Sequence, residues 1–89
     1  PARLYQEVAI LLDRLDITEE VDRLKVHLIH FEETLKEPNS GKKLDFILQE
    51  MHREITTLAN KAQNVDISFL AVSAKDLLEK IREQVQNLV

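Results

Sequence analysis

Apolar residues recur along the chain at alternating spacings of three and four residues, and this pattern is the strongest constraint on its fold. The spacing is the period of an α-helix that packs one face against a neighbour. Four stretches carry such a row, here called a seam. The seams are Leu4, Val8, Leu11 and Leu15; Ile17, Val21, Leu24, Leu28, Phe31 and Leu35; Leu44, Leu48, Met51, Ile55, Leu58 and Ala62; and Ile67, Leu70, Ala74, Leu77, Ile81, Gln84 and Leu88. They predict an all-α fold, a helical hairpin or bundle of about four helices with coiled-coil-like packing.

Few residues interrupt these helices, because the chain contains one Gly and two Pro. Residues 38–41 are expected to end the second helix and reverse the chain, so that the second and third helices form an antiparallel pair. The third helix is expected over residues 42–63. Asp16, with Glu19 three residues later, is the predicted N-cap of the second helix, and Asp66 is that of the fourth. The pair predicts burial of Leu24, Leu28, Phe31, Leu48, Met51 and Ile55.

Length and composition indicate a small cytoplasmic domain. Eighty-nine residues are interpreted as a single helical domain over 1–89. Because the first residue is Pro1 rather than Met, we expect a fragment or a processed form of a larger protein. The longest apolar run, residues 8–12, is far shorter than the ~20 residues of a membrane span. The net charge of −4 disfavours a general nucleic-acid-binding surface, although a local basic site remains compatible with it.

The start of the fourth helix, ISFLAVSA, is apolar on nearly every side, and Phe46, Phe69 and Val72 lie off the seams. A helix of this kind is buried on more than one side. Two alternatives explain it: a second contact within the chain, or an interface with another subunit or a further domain. The second alternative predicts a homo-oligomer.

Glu50 and Glu54 are the candidate metal ligands. One helical turn separates them, so their carboxylates can face one point, and Mg²⁺ and Mn²⁺ prefer oxygen ligands. Such an ion can stabilise charge on a phosphodiester or activate a water molecule. The alternative is that both glutamates are solvated or paired with nearby Lys and Arg side chains, as glutamates at this spacing more often are.

A second polar row runs along the second helix beside its seam: Asp16, Glu20, Arg23 and His27. Counting outward from the 38–41 turn brings His27 level with residues 50–53 and Glu20 level with Lys61. The two helices therefore form either a composite site or a ladder of ion pairs. The ladder would join Glu20 to Lys61, and Arg23 or His27 to Glu54.

Two further groups of residues are candidates for acid–base chemistry and for anion binding. His27, His30 and His52 are the acid–base candidates near neutral pH. Lys42 and Lys43 open the third helix, where free backbone N–H groups favour an anion such as phosphate. A histidine in hydrogen-bonded packing and a solvated turn are the plain alternatives.

Several stretches of the chain resemble one known family. GKKLDFILQEMHRE followed by TLxxK, the ending EKIREQVQN, and the upstream DITEEVDRLKVHLIHF are similar to the C-terminal domain of the YicC-like proteins, a bacterial family of endoribonucleases. The resemblance covers nearly all 89 residues. The residues that differ from the family's usual pattern are His52, Thr56, Ala59, Asn60, Ser73 and Val89.

The resemblance implies that a larger parent protein, with an N-terminal domain outside this chain, cleaves RNA phosphodiester bonds. It implies a divalent metal ion, Mg²⁺ or Mn²⁺, and an oligomeric ring around the RNA. Glu50 and Glu54 would bind the metal or activate water. His27 would act as a general acid or base, or would support the two glutamates. The residues expected to contact phosphates are Lys43, Arg53 and Lys61. Gln49 is expected to orient a partner group.

A rival interpretation is a non-catalytic helical oligomerisation domain of the same parent protein. The seams and the apolar start of the fourth helix suit this role equally well. Catalysis would then reside in the N-terminal region, and the 89 residues alone are expected to be inactive under either interpretation.

Overall fold

The chain folds into four α-helices, as seen in a computed structural model that describes residues 1–15 and 17–87, with side chains described for 1–12 and 17–87. The helices are α1 (Ala2–Leu15), α2 (Ile17–Thr34), α3 (Gly41–Ala62) and α4 (Val65–Asn87). This confirms the all-α prediction. The third helix differs by one residue at each end from the predicted range.

The connections between helices depend on two residues in the left-handed backbone region. Asn39 (φ 54°) lies in the turn between α2 and α3, and Gln63 (φ 46°) ends α3 with its N–H donating to the Ala59 carbonyl at 3.3 Å. Asn64 then caps α4, because its Oδ1 accepts the Ile67 N–H at 3.1 Å. The prediction of Asp66 as this cap was therefore wrong: Asp66 lies in the first turn of α4. The predicted cap Asp16 falls outside the described residues.

Helix α3 lies at the centre of the array, with α2 packed on one side and α4 on the other. Within the described ranges, α2 and α4 do not contact each other. Ion pairs joining residue 20 to 61 and residue 45 to 82 show that both pairings with α3 are antiparallel. The molecule measures 58 × 20 × 14 Å, and its radius of gyration is 16.1 Å. A compact domain of this length would have a radius of gyration of about 12 Å, so the helices form an extended single layer.

The core is built mainly from α3, because this helix is covered on two sides. Its predicted seam is confirmed at Leu44, Leu48, Met51, Ile55 and Ala62, with Leu58 half-buried. Ile47 is also buried. Helix α4 contributes Ala71, Leu78 and Val85 to the same cluster.

The predicted seams of α2 and α4 are confirmed in part. The predicted positions that are half-buried are Ile17, Val21, Leu24 and Phe31 on α2, and Ile67, Ala74 and Ile81 on α4, whereas at positions 35, 70, 77 and 84 a neighbouring residue is buried instead. On α2, Glu20 and Thr34 are buried, whereas Leu35 is exposed and Leu28 retains 49% of its accessible surface. On α4, the buried positions are 71, 78 and 85, and the predicted 70, 77 and 84 are exposed. The predicted burial of Leu28 was therefore wrong, while Leu24 and Phe31 are half-buried and Leu48, Met51 and Ile55 are buried.

The seam of α1 is not covered by the rest of the chain. Leu4, Val8 and Leu11 are each about half exposed, and only a few contacts join α1 to α2 and α3. The predicted helix is therefore confirmed, but its predicted packing face lies open. The side chain of Leu15 and the whole of Leu88 fall outside the described residues.

The layer exposes more surface than a compact monomer does. Its accessible area is 6840 Å², whereas a folded monomer of 10.3 kDa exposes about 5,400 Å². The start of α4 adds to this excess, because Phe69, Leu70 and Val72 are exposed while Ala71 is buried. These side chains are therefore not covered by a second contact within the chain, which was the first of the two alternatives given for ISFLAVSA.

Over residues 1–15 and 17–87, no helix combines the length and the apolar character that crossing a bilayer requires.

Candidate functional site

A ladder of ion pairs connects the facing polar rows of α2 and α3. Lys61 Nζ lies 2.9 Å from Glu20 Oε1, and Arg23 Nε lies 3.2 Å from the Glu54 carboxylate. Arg23 also donates to Glu19 at 2.7 Å and to Glu20 at 3.2 Å. The alignment obtained by counting from the turn is thus confirmed, and Arg23, rather than His27, is the partner of Glu54.

Arg23 collects three carboxylates around one guanidinium group. The hydrogen bond to Glu54 is the main cause that raises the pKa of Arg23 above its ordinary value, and the bond to Glu19 adds to it. The guanidinium therefore stays cationic over the whole range in which proteins are folded. It holds the Glu54 side chain, which is 13% exposed, against α2.

Glu20 is the most deeply buried ionisable side chain of the ladder, with 1% of its surface accessible. Its Oε1 accepts hydrogen bonds from Lys61 and Arg23, whereas its buried Oε2 has no hydrogen-bond partner among the side chains of residues 1–12 and 17–87. The hydrogen bond from Lys61 is the largest cause that lowers the pKa of Glu20, and desolvation by burial opposes it. The carboxylate is therefore ionised at neutral pH and ties α2 to the end of α3.

We expect Glu20→Gln to destabilise the helix pair by about 1–3 kcal/mol at pH 7, since it removes a charged partner from a buried contact. Because folding lowers the pKa of Glu20, its stabilising contribution is complete above the ordinary glutamate pKa of about 4.3 and is lost as the pH falls through the lowered value. Urea unfolding at pH 7 and in acid, followed by circular dichroism, measures both effects. Equal stability of wild type and variant at pH 7 would contradict the assignment.

The two candidate metal ligands lie side by side on α3 but have different partners. Glu54 is bound to Arg23, while Glu50, 22% exposed, has Arg53 Nη1 at a longer distance of 3.6 Å. In the part of the chain that the structure describes, no three His, Cys, Asp or Glu side chains come together as a ligand set for a metal ion. Residues 1–12 and 17–87 therefore offer these two carboxylates, and no larger ligand set, at this position.

The other predicted site residues do not converge on this pair. His27 is half-buried on the inner face of α2. Lys43 pairs with Glu37 at 3.1 Å near the turn, about 16 Å along α3 from Glu54. Gln49 donates to Asp45 at 2.9 Å and lies on the side of α3 that faces α4. Of the predicted substrate-binding residues, Lys61 belongs to the ladder, and Arg53 lies beside Glu50.

A second polar contact, between α3 and α4, was missed by reasoning from the sequence. Arg82 Nε lies 2.7 Å from Asp45 Oδ1. Arg82 and Glu79 line a cavity of about 180 Å³ together with Gln49 and His52. The available signal was that residues 45 and 82 lie equally far from the 63–64 break, so that an antiparallel pairing brings them level.

Comparison with known proteins assigns the chain to a family. The model of the family described as "Endoribonuclease YicC-like, C-terminal" matches residues 1–89. A protein of Haemophilus influenzae named "Probable endoribonuclease YicC" is 47% identical over 89 residues, covering 99% of this chain and 31% of that protein. A protein of the same name from Clostridioides difficile is 47% identical over 87 residues, covering 97% of this chain and 30% of that protein. No solved structure matches the chain significantly.

The chain thus spans about a third of the length of these curated relatives. The match of the family model over the whole chain agrees with the resemblance noted in the sequence. The chain belongs to the family of YicC-like endoribonuclease C-terminal domains.

Proposed function

We propose that the protein containing this chain is an endoribonuclease that cleaves phosphodiester bonds of RNA, and that this domain supplies part of its active site. The observation that carries the proposal is the 47% identity to two bacterial proteins that are both named probable endoribonucleases. The location that we propose is the cytoplasm, where cellular RNA is made and used. An N-terminal domain, corresponding to the part of the relatives that this chain does not span, would complete the enzyme.

Glu50 and Glu54 are the residues that we propose to hold a divalent metal ion, Mg²⁺ or Mn²⁺. The donor types fit, since Mg²⁺ commonly takes one or two carboxylates and completes its coordination with water and substrate phosphate oxygens. A bound ion would supply charge stabilisation at the scissile phosphate or a more acidic water molecule. Arg23 would serve as a positioning residue, because its bond to Glu54 fixes the orientation of that carboxylate.

The remaining contacts to RNA are proposed for cations near this pair. Arg53 is 74% exposed beside Glu50 and is suited to a phosphate contact. Lys61 and Lys43 would bind phosphates further along the helix, and Gln49 would orient a partner group. His27 would donate or accept a proton, or support a group that does.

Cleavage of labelled RNA by the full-length protein tests this function. We expect cleavage at internal positions that stops when EDTA removes divalent ions and resumes when Mg²⁺ or Mn²⁺ is restored. Intact RNA under all of these conditions would overturn the proposal. Cleavage that persists in EDTA would overturn its metal-dependent part.

A second candidate role is oligomerisation, and the exposed apolar surface of α4 favours it. Val65, Phe69 and Val72 line an apolar groove at the start of this helix, and Leu70 and Leu77 are exposed beside it. The surface of one chain in excess of a compact monomer is about 1,400 Å², more than the ~800 Å² that each partner contributes to a protein–protein interface of standard size. We propose a second copy of the chain as the occupant of this groove, in a homo-oligomer.

Phe69→Asp is expected to weaken self-association of the 89-residue chain by at least tenfold, since it places a charge in an apolar interface. Gln84→Asp, at an exposed position of the same helix, is the matched control and should associate like wild type. Sedimentation equilibrium over a range of concentrations measures the difference. A folded wild-type monomer at high concentration would contradict the proposed interface.

A further inference from the structure

Phe46 is an exposed aromatic side chain among polar neighbours. It retains 62% of its accessible surface on the central helix. Lys42 lies four residues before it, Gln49 three residues after it, and Arg53 four residues further. These spacings place the four side chains on one face of α3, over about 16 Å. We call this set of four residues the Phe46 stripe.

The stripe borders a groove between α3 and α4. The groove has a volume of about 440 Å³, and its lining includes Lys42, Phe46 and Gln49 from α3, and Val85 and Gln86 from α4. Val85 is buried and forms an apolar floor. The groove therefore combines an aromatic ring, an apolar base and amide groups, the components that bind a flat, polar-edged ring such as a nucleobase.

The charges around the groove favour an anionic ligand. Asp45 is the carboxylate in its lining, and both of its oxygens are engaged: Oδ1 by Arg82 at 2.7 Å and Oδ2 by Gln49 at 2.9 Å. Lys42 takes part in no ion pair within residues 17–87. Arg53, at the other end of the stripe, has its Glu50 partner at the long distance of 3.6 Å. A cation thus lies on each side of the ring.

The surroundings of Phe46 differ from those of Phe69, the other strongly exposed phenylalanine. Phe69 shares its groove with Val65 and Val72, and its surface is suited to another protein. Phe46 instead has cations and amides on its own face. Aromatic rings interleaved with cations are the arrangement that binds single-stranded nucleic acid, because bases stack on the ring and phosphates pair with the cations.

We propose that the Phe46 stripe binds single-stranded RNA, with Phe46 stacking on an unpaired base while Lys42 and Arg53 contact the phosphates on either side. This inference rests on the proposed function and names its substrate class. Bases within a duplex are stacked on each other and do not offer a face to a protein side chain. The stripe therefore selects unpaired segments of RNA for the nearby Glu50 and Glu54.

The test uses the full-length protein and a short single-stranded 2′-O-methyl oligoribonucleotide that carries one 2-aminopurine, whose fluorescence falls when it stacks on an aromatic ring. Phe46→Leu keeps the apolar bulk and removes the π face. We expect it to weaken binding by roughly 5- to 150-fold and to abolish the protein-induced fluorescence change. Phe46→Tyr should retain both the affinity and the fluorescence change.

Tyr5→Leu is the control, because it removes an aromatic ring from another exposed position, outside both the stripe and the α4 groove, and it should bind like wild type. A duplex of the same sequence should bind more weakly and with no dependence on residue 46. Since Phe46 is exposed, all variants should keep the wild-type circular dichroism spectrum.

Different failures separate this inference from the function on which it rests. If Phe46→Leu keeps wild-type affinity and fluorescence while the protein still cleaves RNA, the stacking role is wrong and the endoribonuclease function stands. If Phe46→Leu changes the sedimentation of the assembly in proportion to its loss of affinity, the stripe is a protein interface and the inference is overturned. A wild-type protein that neither binds nor cleaves RNA would overturn both.

Discussion

Glu50→Gln and Glu54→Gln are each expected to lower RNA cleavage by the full-length protein by roughly two orders of magnitude or more. Gln keeps the shape of the side chain and removes the charge that would hold a divalent ion. A metal ion contributes several kcal/mol of transition-state stabilisation, and each 1.36 kcal/mol corresponds to a factor of ten in rate. Added Mn²⁺ should restore the activity poorly, since the missing group is a ligand. Single-turnover cleavage rates measure the effect.

The structure distinguishes the two variants and provides their control. Glu50 has a partner at 3.6 Å, so its replacement should leave stability within about 0.5 kcal/mol of wild type. Glu54→Gln weakens the contact with Arg23, so this variant should lose folding stability in addition to cleavage activity. Glu19→Gln removes another carboxylate from Arg23 without touching the Glu50–Glu54 pair, and it should cleave RNA at the wild-type rate.

The purely structural interpretation of the ladder predicts the reverse pattern. Under it, Glu54→Gln and Glu19→Gln both lower thermal stability, and cleavage per folded molecule stays unchanged in every variant. If both variants of the Glu50–Glu54 pair cut RNA at the wild-type rate, the catalytic assignment to α3 is wrong. The chemistry would then belong to the N-terminal region of the parent protein.

Leu48→Ala is expected to destabilise the chain by about 2–5 kcal/mol, because it removes a fully buried side chain from the centre of the layer. This loss is comparable to the whole stability of a domain this small. Thermal unfolding followed by circular dichroism, at one fixed protein concentration, measures it. The concentration must be fixed because association of copies would itself add stability.

Leu28→Ala is the control for this prediction, since it makes the same change at a side chain that is 49% exposed. Its expected cost is about 1 kcal/mol or less. An equal cost for the two substitutions would contradict the description of Leu28 as a surface residue. It would place Leu28 beneath another copy of the chain or another domain.

The helices and their pairing could be predicted from the sequence alone. Local signals specify them: the spacing of apolar residues, the turn residues 38–41 and the shortage of other breaks. Because a short turn fixes which residues of two antiparallel helices are level, the pair Glu20–Lys61 also followed from counting, whereas counting left Arg23 and His27 as alternative partners of Glu54. The seam of α3 was correct because α2 and α4 cover this helix from both sides, so nearly all of its apolar stripe is buried.

The rotation of the outer helices could not be predicted from the sequence. Helices α2 and α4 each carry an apolar stripe that is wider than the face needed to pack on α3. Several small rotations of a helix about its axis satisfy such a stripe about equally well. A rotation of about 50°, half of the roughly 100° between successive residues, exchanges every second position of the seam. The tertiary structure buries Glu20, Leu78 and Val85 and leaves Leu28 and Leu77 open.

The sequence by itself therefore determined the class of fold, the order of the helices, the bounds of α3 to within one residue, and the residues that could meet between α2 and α3. Only the tertiary structure decided which of them do meet. It buried Glu20 with a single engaged oxygen and joined Asp45 to Arg82 across 37 residues of chain. It also placed Gln49 with α4, away from Glu54. The physical reason is that helix formation depends on neighbours along the chain, whereas helix rotation depends on packing against surfaces that are distant in sequence.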